Sequence, residues 1–165
     1  MTVVRFMRQL RSNYFIFASS GRQAHVTLPS IMPVTTIHIR TQYSEAQEIS
    51  IIEAVQTALL QTLKLPETDR NVMLQVHAPH RMIASPMLAQ PEKRTVIEIA
   101  MFPGRSVDVK RRLYRALVER LEGCAAAIPP DHVLICLREE PFEHWGIRGG
   151  QAASDVDLGF STQID

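Results

Sequence analysis

Met32-Pro33 offers the least common chemistry in this chain. Initiation at Met32 and removal of that methionine would leave Pro33 with a free secondary amine. An unperturbed α-amino group titrates at roughly 7.7–8.0. Burial or a nearby cation lowers that value towards neutrality, where the amine can act as general base or acid. As an internal residue Pro33 has an imide nitrogen without basicity, so its chemistry is conditional on the loss of residues 1–32. Other candidates are poorer. His77 and His80 have a spacing open to a pair of metal ligands, but no acidic or third histidine partner lies near in sequence, and no metal is expected. His38 and His132 read as packed or surface histidines. Cys124 and Cys136 have neither metal-ligand spacing nor a disulfide framework and read as small buried hydrophobes. The run Gly146-Ile147-Arg148-Gly149-Gly150 lacks the strand-to-helix context of a phosphate loop.

The elements that would position Pro33 follow a strand, helix, strand order. Residues 33–40 alternate apolar and polar, as a half-buried strand does. Ser44-Glu45-Ala46-Gln47 is a capping-box signature, opening a helix to about Leu65. Its stripe is Ile49, Ile52, Val55, Leu59, Leu60 and Leu63, and Pro66 stops it. A strand at 72–76, a connection interrupted by Pro79, Pro86 and Pro91, and a strand at 95–102 follow. Ser106 then caps a second helix to about Gly123, with Leu113, Leu117, Val118 and Leu121 on one side, before a strand at 132–137. A shift of 62 residues places Ser44 on Ser106, Leu59 on Leu121 and Asp69 on Asp131 without a gap. The pattern is a duplicated βαβ unit. Right-handed crossovers put both helices on one face of a four-stranded mixed sheet, an α+β fold. The bare face is then expected to be covered by oligomerisation. The C-terminal stretch from Trp145 to Phe160 reads as loop and hairpin, free to pack on a neighbouring subunit.

Composition excludes several roles. At 165 residues with 45% hydrophobic content the chain is one globular domain with a real core. A net charge of +1 without a dense basic block argues against a nucleic-acid partner, and no apolar run reaches transmembrane length. Residues 1–32 stand apart, with Arg5, Arg8, Arg11 and Arg22 and no acid before Glu45. They read as translated upstream sequence, with a mitochondrial transit segment or a functional arm as alternatives. The expected domain is 33–165, cytoplasmic, or mitochondrial if the leader is a transit peptide.

Pro33 opening the first strand, the two βαβ units, Leu65-Pro66-Glu67-Thr68-Asp69-Arg70, the Arg105-Ser106 turn, and Pro130-Asp131-His132-Val133 followed by Trp145-Gly146 together resemble the tautomerase superfamily. The likeness is to its longer, fused members related to malonate semialdehyde decarboxylase, and covers about four fifths of the chain. The resemblance implies a homotrimer and a cofactor-free acid/base role for Pro33, assisted by Asp69. Of two arginines that bind a substrate carboxylate it carries over one, Arg105, because Pro103 holds the place of the other. That loss weakens bidentate carboxylate recognition. The expected activity is therefore a tautomerase-like proton transfer on a small keto/enol carboxylate. A decarboxylase or hydratase of a 3-oxo or unsaturated acid, with Arg148 or Arg70 as the second cation, is the first alternative. A non-enzymatic oligomeric binding protein, if residues 1–32 stay attached, is the second. Read without the resemblance, Asp69 could be turn chemistry. Arg105 could be solvated or, at a strand end beside a helix start, placed for an anion. Trp145 reads as core or pocket wall, and Lys64 as a helix-end charge.

Overall fold

The structure, a computed structural model, describes residues 33–40 and 43–159. The leader proposed for residues 1–32 lies outside the described residues. Strand β1 (Val34–Ile39) buries alternate residues, with Thr35, Ile37 and Ile39 inward, as its period-2 pattern requires. Helix α1 (Glu45–Leu63) starts at the capping box: the Gln47 N–H donates to Ser44 Oγ at 3.4 Å, and Gln47 Oε1 accepts from the Ser44 N–H at 3.1 Å. It ends at Lys64, whose φ of 52° is left-handed, and Pro66 follows. Strands β2 (Val72–Val76) and β3 (Thr95–Met101), helix α2 (Val107–Gly123, capped by Ser106) and strand β4 (Val133–Glu139) complete the duplication.

The sheet order is β2-β1-β3-β4, with β1 parallel to β2, β3 parallel to β4, and β1 antiparallel to β3. Both helices lie on one face. There Ile51, Val55 and Leu59 of α1 and Leu113, Leu117 and Leu121 of α2 bury against Ile37, Ile97 and Ile99. Truncating Leu117 to alanine would cost about 2–5 kcal/mol through lost transfer energy and the cavity left behind. The α1 stripe is displaced from the sequence pattern: Ile51 and Ala58 are buried, whereas Ile49 is 54% exposed.

Two further expectations are corrected. The 62-residue repeat holds for β1/β3 and α1/α2 but slips by one residue in the last strand. Thr35 pairs with Val72, whereas Ile97, its counterpart, pairs with Ile135. Because side chains alternate with period 2, a gapless shift would turn the apolar residues of β4 outward, so the extra residue is absorbed before the strand. The register therefore matches Asp69 to His132, not to Asp131. The cysteines are also less buried than expected: Cys136 lies exposed on the bare face and Cys124 is half-buried at the end of α2. Among the described residues no helix is long and apolar enough to cross a membrane.

Candidate active site

One end of the sheet collects the start of β1, the start of β2, and the ends of β3 and β4. Val34 pairs with Ala100, and one residue back along that ladder Pro33 stands beside Met101. The Thr35 N–H donates to the Asn71 carbonyl at 2.9 Å, which sets Asp69-Arg70-Asn71 on the other side of the same strand start. Neighbouring strands are about 4.8 Å apart, so Pro33, Asp69 and the end of β3 share one small region. Pro33 is buried.

Asp69 has both properties the sequence left open. It closes a turn, with its N–H donating to the Pro66 carbonyl at 2.9 Å. It is also 2% exposed, held by Gln56 Nε2 donating to its carbonyl at 2.6 Å and by Asn71 Nδ2 donating to Oδ1 at 2.9 Å. Asp131, which the gapless repeat offered as an idle counterpart, has a side chain 70% exposed.

Arg105 follows the turn out of β3, where Gly104 adopts a φ of 119° that only glycine takes without strain. Its Nη1 donates to the Phe102 carbonyl at 2.9 Å. The residue is 6% exposed, and its Nε is buried with no hydrogen-bond partner among the described residues. Burial pushes the guanidinium below its ordinary pKa, and Glu139 at the end of β4 opposes that shift. Glu139 itself is answered by Lys110 Nζ at 2.8 Å. Arg105 is thus a buried cation with spare donor capacity at the end of the sheet that holds Pro33.

Behind Arg105, Phe102 packs on Phe142 (centroids 4.7 Å apart) and edge-on to Trp145 (5.5 Å), and the indole N–H donates to the Glu140 carbonyl at 3.2 Å. Trp145 is therefore a packing residue that walls this end. The hairpin that follows, β5 (Gly146–Ile147) with β6 (Gln151–Ala152), packs on its own subunit: Ile147 and Ala153 join the core.

The substitute cations are spoken for. Arg70 Nη1 pairs with Glu53 Oε1 at 3.2 Å, both exposed, and Arg148 Nη1 donates to the Asp157 carbonyl at 2.7 Å. His77 meets His38 rather than His80, with Nε2 2.9 Å from His38 Nδ1. His132 is fully buried, with its Nε2 accepting from the Gln90 N–H at 3.0 Å and its Nδ1 2.7 Å from Asp131 Oδ1. No cluster of three metal-ligating side chains occurs among the described residues.

Sequence reasoning missed Asn71, Phe102, Phe142 and Thr35. Thr35 is fully buried on the same face as Pro33, and its Oγ1 has no partner among the described residues. The Asp69-Arg70-Asn71 spacing was a legible signal for the carboxylate-amide bond; a threonine at a buried strand position was not distinctive.

Comparison with known proteins agrees with this fold. A family model described as a tautomerase enzyme matches residues 69–148. A malonate semialdehyde decarboxylase, with a structure describing decarboxylase and hydratase activities, superposes with a TM-score of 0.65 at 22% identity, covering 75% of this chain and 99% of that one. A malonate semialdehyde decarboxylase inhibited by 3-bromopropiolate gives 0.63 at 25% identity over 72% and 92%. A fused 4-OT, a symmetric trimer, gives 0.56 at 20% over 73% and 96%. The matched segment spans Asp69, Arg105 and Trp145 in just under half of the chain, and the superposed structures share its fold, so the chain is similar to members of the tautomerase superfamily.

Proposed function

We propose that the chain, processed so that Pro33 carries a free amine, is a cofactor-free tautomerase that moves a proton on a small keto/enol carboxylate. The amine takes the proton from the enol hydroxyl or from the carbon beside the carbonyl and returns it to the other position. Arg105 holds the substrate carboxylate or the developing oxyanion, and a buried, desolvated guanidinium does so with more effect than a hydrated one. Asp69, fixed by Gln56 and Asn71, orients a water or tunes the amine. The observation that carries this reading is the register that brings Pro33, Asp69 and Arg105 to one end of the sheet.

A homotrimer belongs to the same proposal. Met73 and Leu134 are about half exposed on the bare sheet face, and Ile83 (93% exposed) and Met87 (89%) project from the connection between β2 and β3. A second copy of the chain would cover such apolar surface. Decarboxylation or hydration is the second reading, favoured by the buried Asp69, because a carboxylate beside the amine keeps it protonated. With Arg70 and Arg148 engaged elsewhere, Arg105 is the one of the three candidate guanidiniums left to a substrate, and that weighs against it.

The test is ketonisation of an ultraviolet-absorbing enol of a 2-oxo acid. The chain starting at Pro33 should be active and sediment as a trimer, and the 165-residue chain should be inactive. Equal activity in both would overturn the amine mechanism. A proline nitrogen titrating above about 9, with activity falling as it deprotonates, would transfer the assignment to the decarboxylase or hydratase reading.

A further inference from the structure

The opposite end of the sheet gathers the ends of β1 and β2 with the starts of β3 and β4. By the duplication it is the counterpart of the candidate site. The repeat matches Arg105 to Tyr43 and Phe102 to Arg40. Beyond the edge strands the slipped register matches the 3-10 turn Phe142–His144 to the 3-10 turn Pro79–Arg81. At the first end, the rings of Phe102, Phe142 and Trp145 fill the space. At the second, Arg40 and Pro79 stand where Phe102 and Phe142 would be, and a cavity of about 810 Å³ opens. It is lined by Arg40, His77, Pro79, Arg81, Pro91 and Glu92, among others.

The lining favours an anion, with two guanidiniums against one carboxylate. Arg40 Nη1 donates to the Pro91 carbonyl at 3.5 Å, while its Nε is buried with no partner among the described residues. A buried charged donor without an acceptor is costly. With Nη1 engaged, the Nε and Nη2 edge remains, and its two parallel N–H groups match the two oxygens of a planar carboxylate. Beside it the His77 ring is fixed by its 2.9 Å contact with His38.

We propose that this cavity is a second binding site, separate from the Pro33 end, that takes a small carboxylate-bearing anion against the Nε edge of Arg40 with Arg81 at its rim. The two ends can be read apart. Trp145 is the single tryptophan and lies at the Arg105 end, so its fluorescence reports that end, whereas calorimetry detects both. Titrating the protein with sodium malonate should give binding heat that persists in Arg105→Met without a change in Trp145 fluorescence. That heat should weaken at least about tenfold in Arg40→Met and severalfold in Arg81→Met. Arg81 is exposed, so its variant preserves the test if Arg40→Met folds poorly. The proposal is overturned by an absence of binding up to about 10 mM malonate. It is overturned equally by heat that vanishes in Arg105→Met but survives both other substitutions, or by inorganic phosphate binding as tightly as malonate.

Discussion

Replacing Arg105 by methionine should separate stability from activity. The residue is 6% exposed, and among the described residues its guanidinium makes one side-chain hydrogen bond, Nη1 to the Phe102 carbonyl at 2.9 Å, with Nε left over. Losing that charge-assisted bond costs about 1.5–3 kcal/mol. Relieving the desolvation of a buried cation returns several kcal/mol, reduced here by the attraction of Glu139. The two nearly cancel, and a methionine of similar length keeps the apolar contacts. We expect unfolding free energy within about 1 kcal/mol of wild type, roughly 4 °C in Tm at fixed protein concentration. Turnover should respond differently, because the donors without protein partners are those available to a substrate. Loss of a preorganised cation should remove about 2–4 kcal/mol of transition-state stabilisation, a fall of roughly 30- to 900-fold in kcat/KM for carboxylate-bearing enols. Thermal melting and ketonisation kinetics on the chain starting at Pro33 measure both. A variant that melts far below wild type but turns over normally would show Arg105 to be a structural cation and refute the reasoning.

Two other expectations concern titration. Asp69→Asn removes a carboxylate that favours the protonated amine, so the rising limb of kcat/KM against pH should move to lower pH; an unmoved limb would take Asp69 out of the site. Tyr43, with its pKa raised to about 12, binds its proton more tightly folded than unfolded. Its contribution is complete below pH 10 and lost as pH climbs from 10 to about 12. After discounting for solvent screening this amounts to about 1–2 kcal/mol. Tyr43→Phe, which deletes a hydroxyl without a partner, should be neutral or stabilising at pH 7 and flatten that alkaline loss in denaturant titrations; an unchanged slope would count against the buried hydroxyl.

The strands and helix starts were legible because each rests on a local rule: alternation along β1 and β3, and Ser44 and Ser106 accepting from the first turns of α1 and α2. The order of Pro33, Asp69 and Arg105 in the chain was legible too, and right-handed βαβ topology carries them to one end. What escaped depends on register between distant segments. Ile49 and Ile51 both fit an apolar helical face, and only packing against β1 selects Ile51. The extra residue before β4 is invisible to a gapless comparison, because the partner of Ile97 decides it. The contacts of His77 with His38, and of Phe102 with Phe142, join residues about forty positions apart, where no periodicity helps.

The connection from residue 78 to residue 94 contains no buried residue, yet it alone joins the two βαβ units in sequence. The units themselves meet through the β1/β3 ladder, from Val34↔Ala100 to Ile39↔Thr95, and through α1 against α2. The cohesion of the molecule thus lies in that seam and not in the covalent link. A cut near Ile83 or Met87 exposes no core and breaks no ladder. The chain is in this sense two complementary fragments that happen to be tethered. The tether raises their effective concentration and keeps each half beside an unlike partner, so that a proline end and a guanidinium-lined end coexist in one subunit.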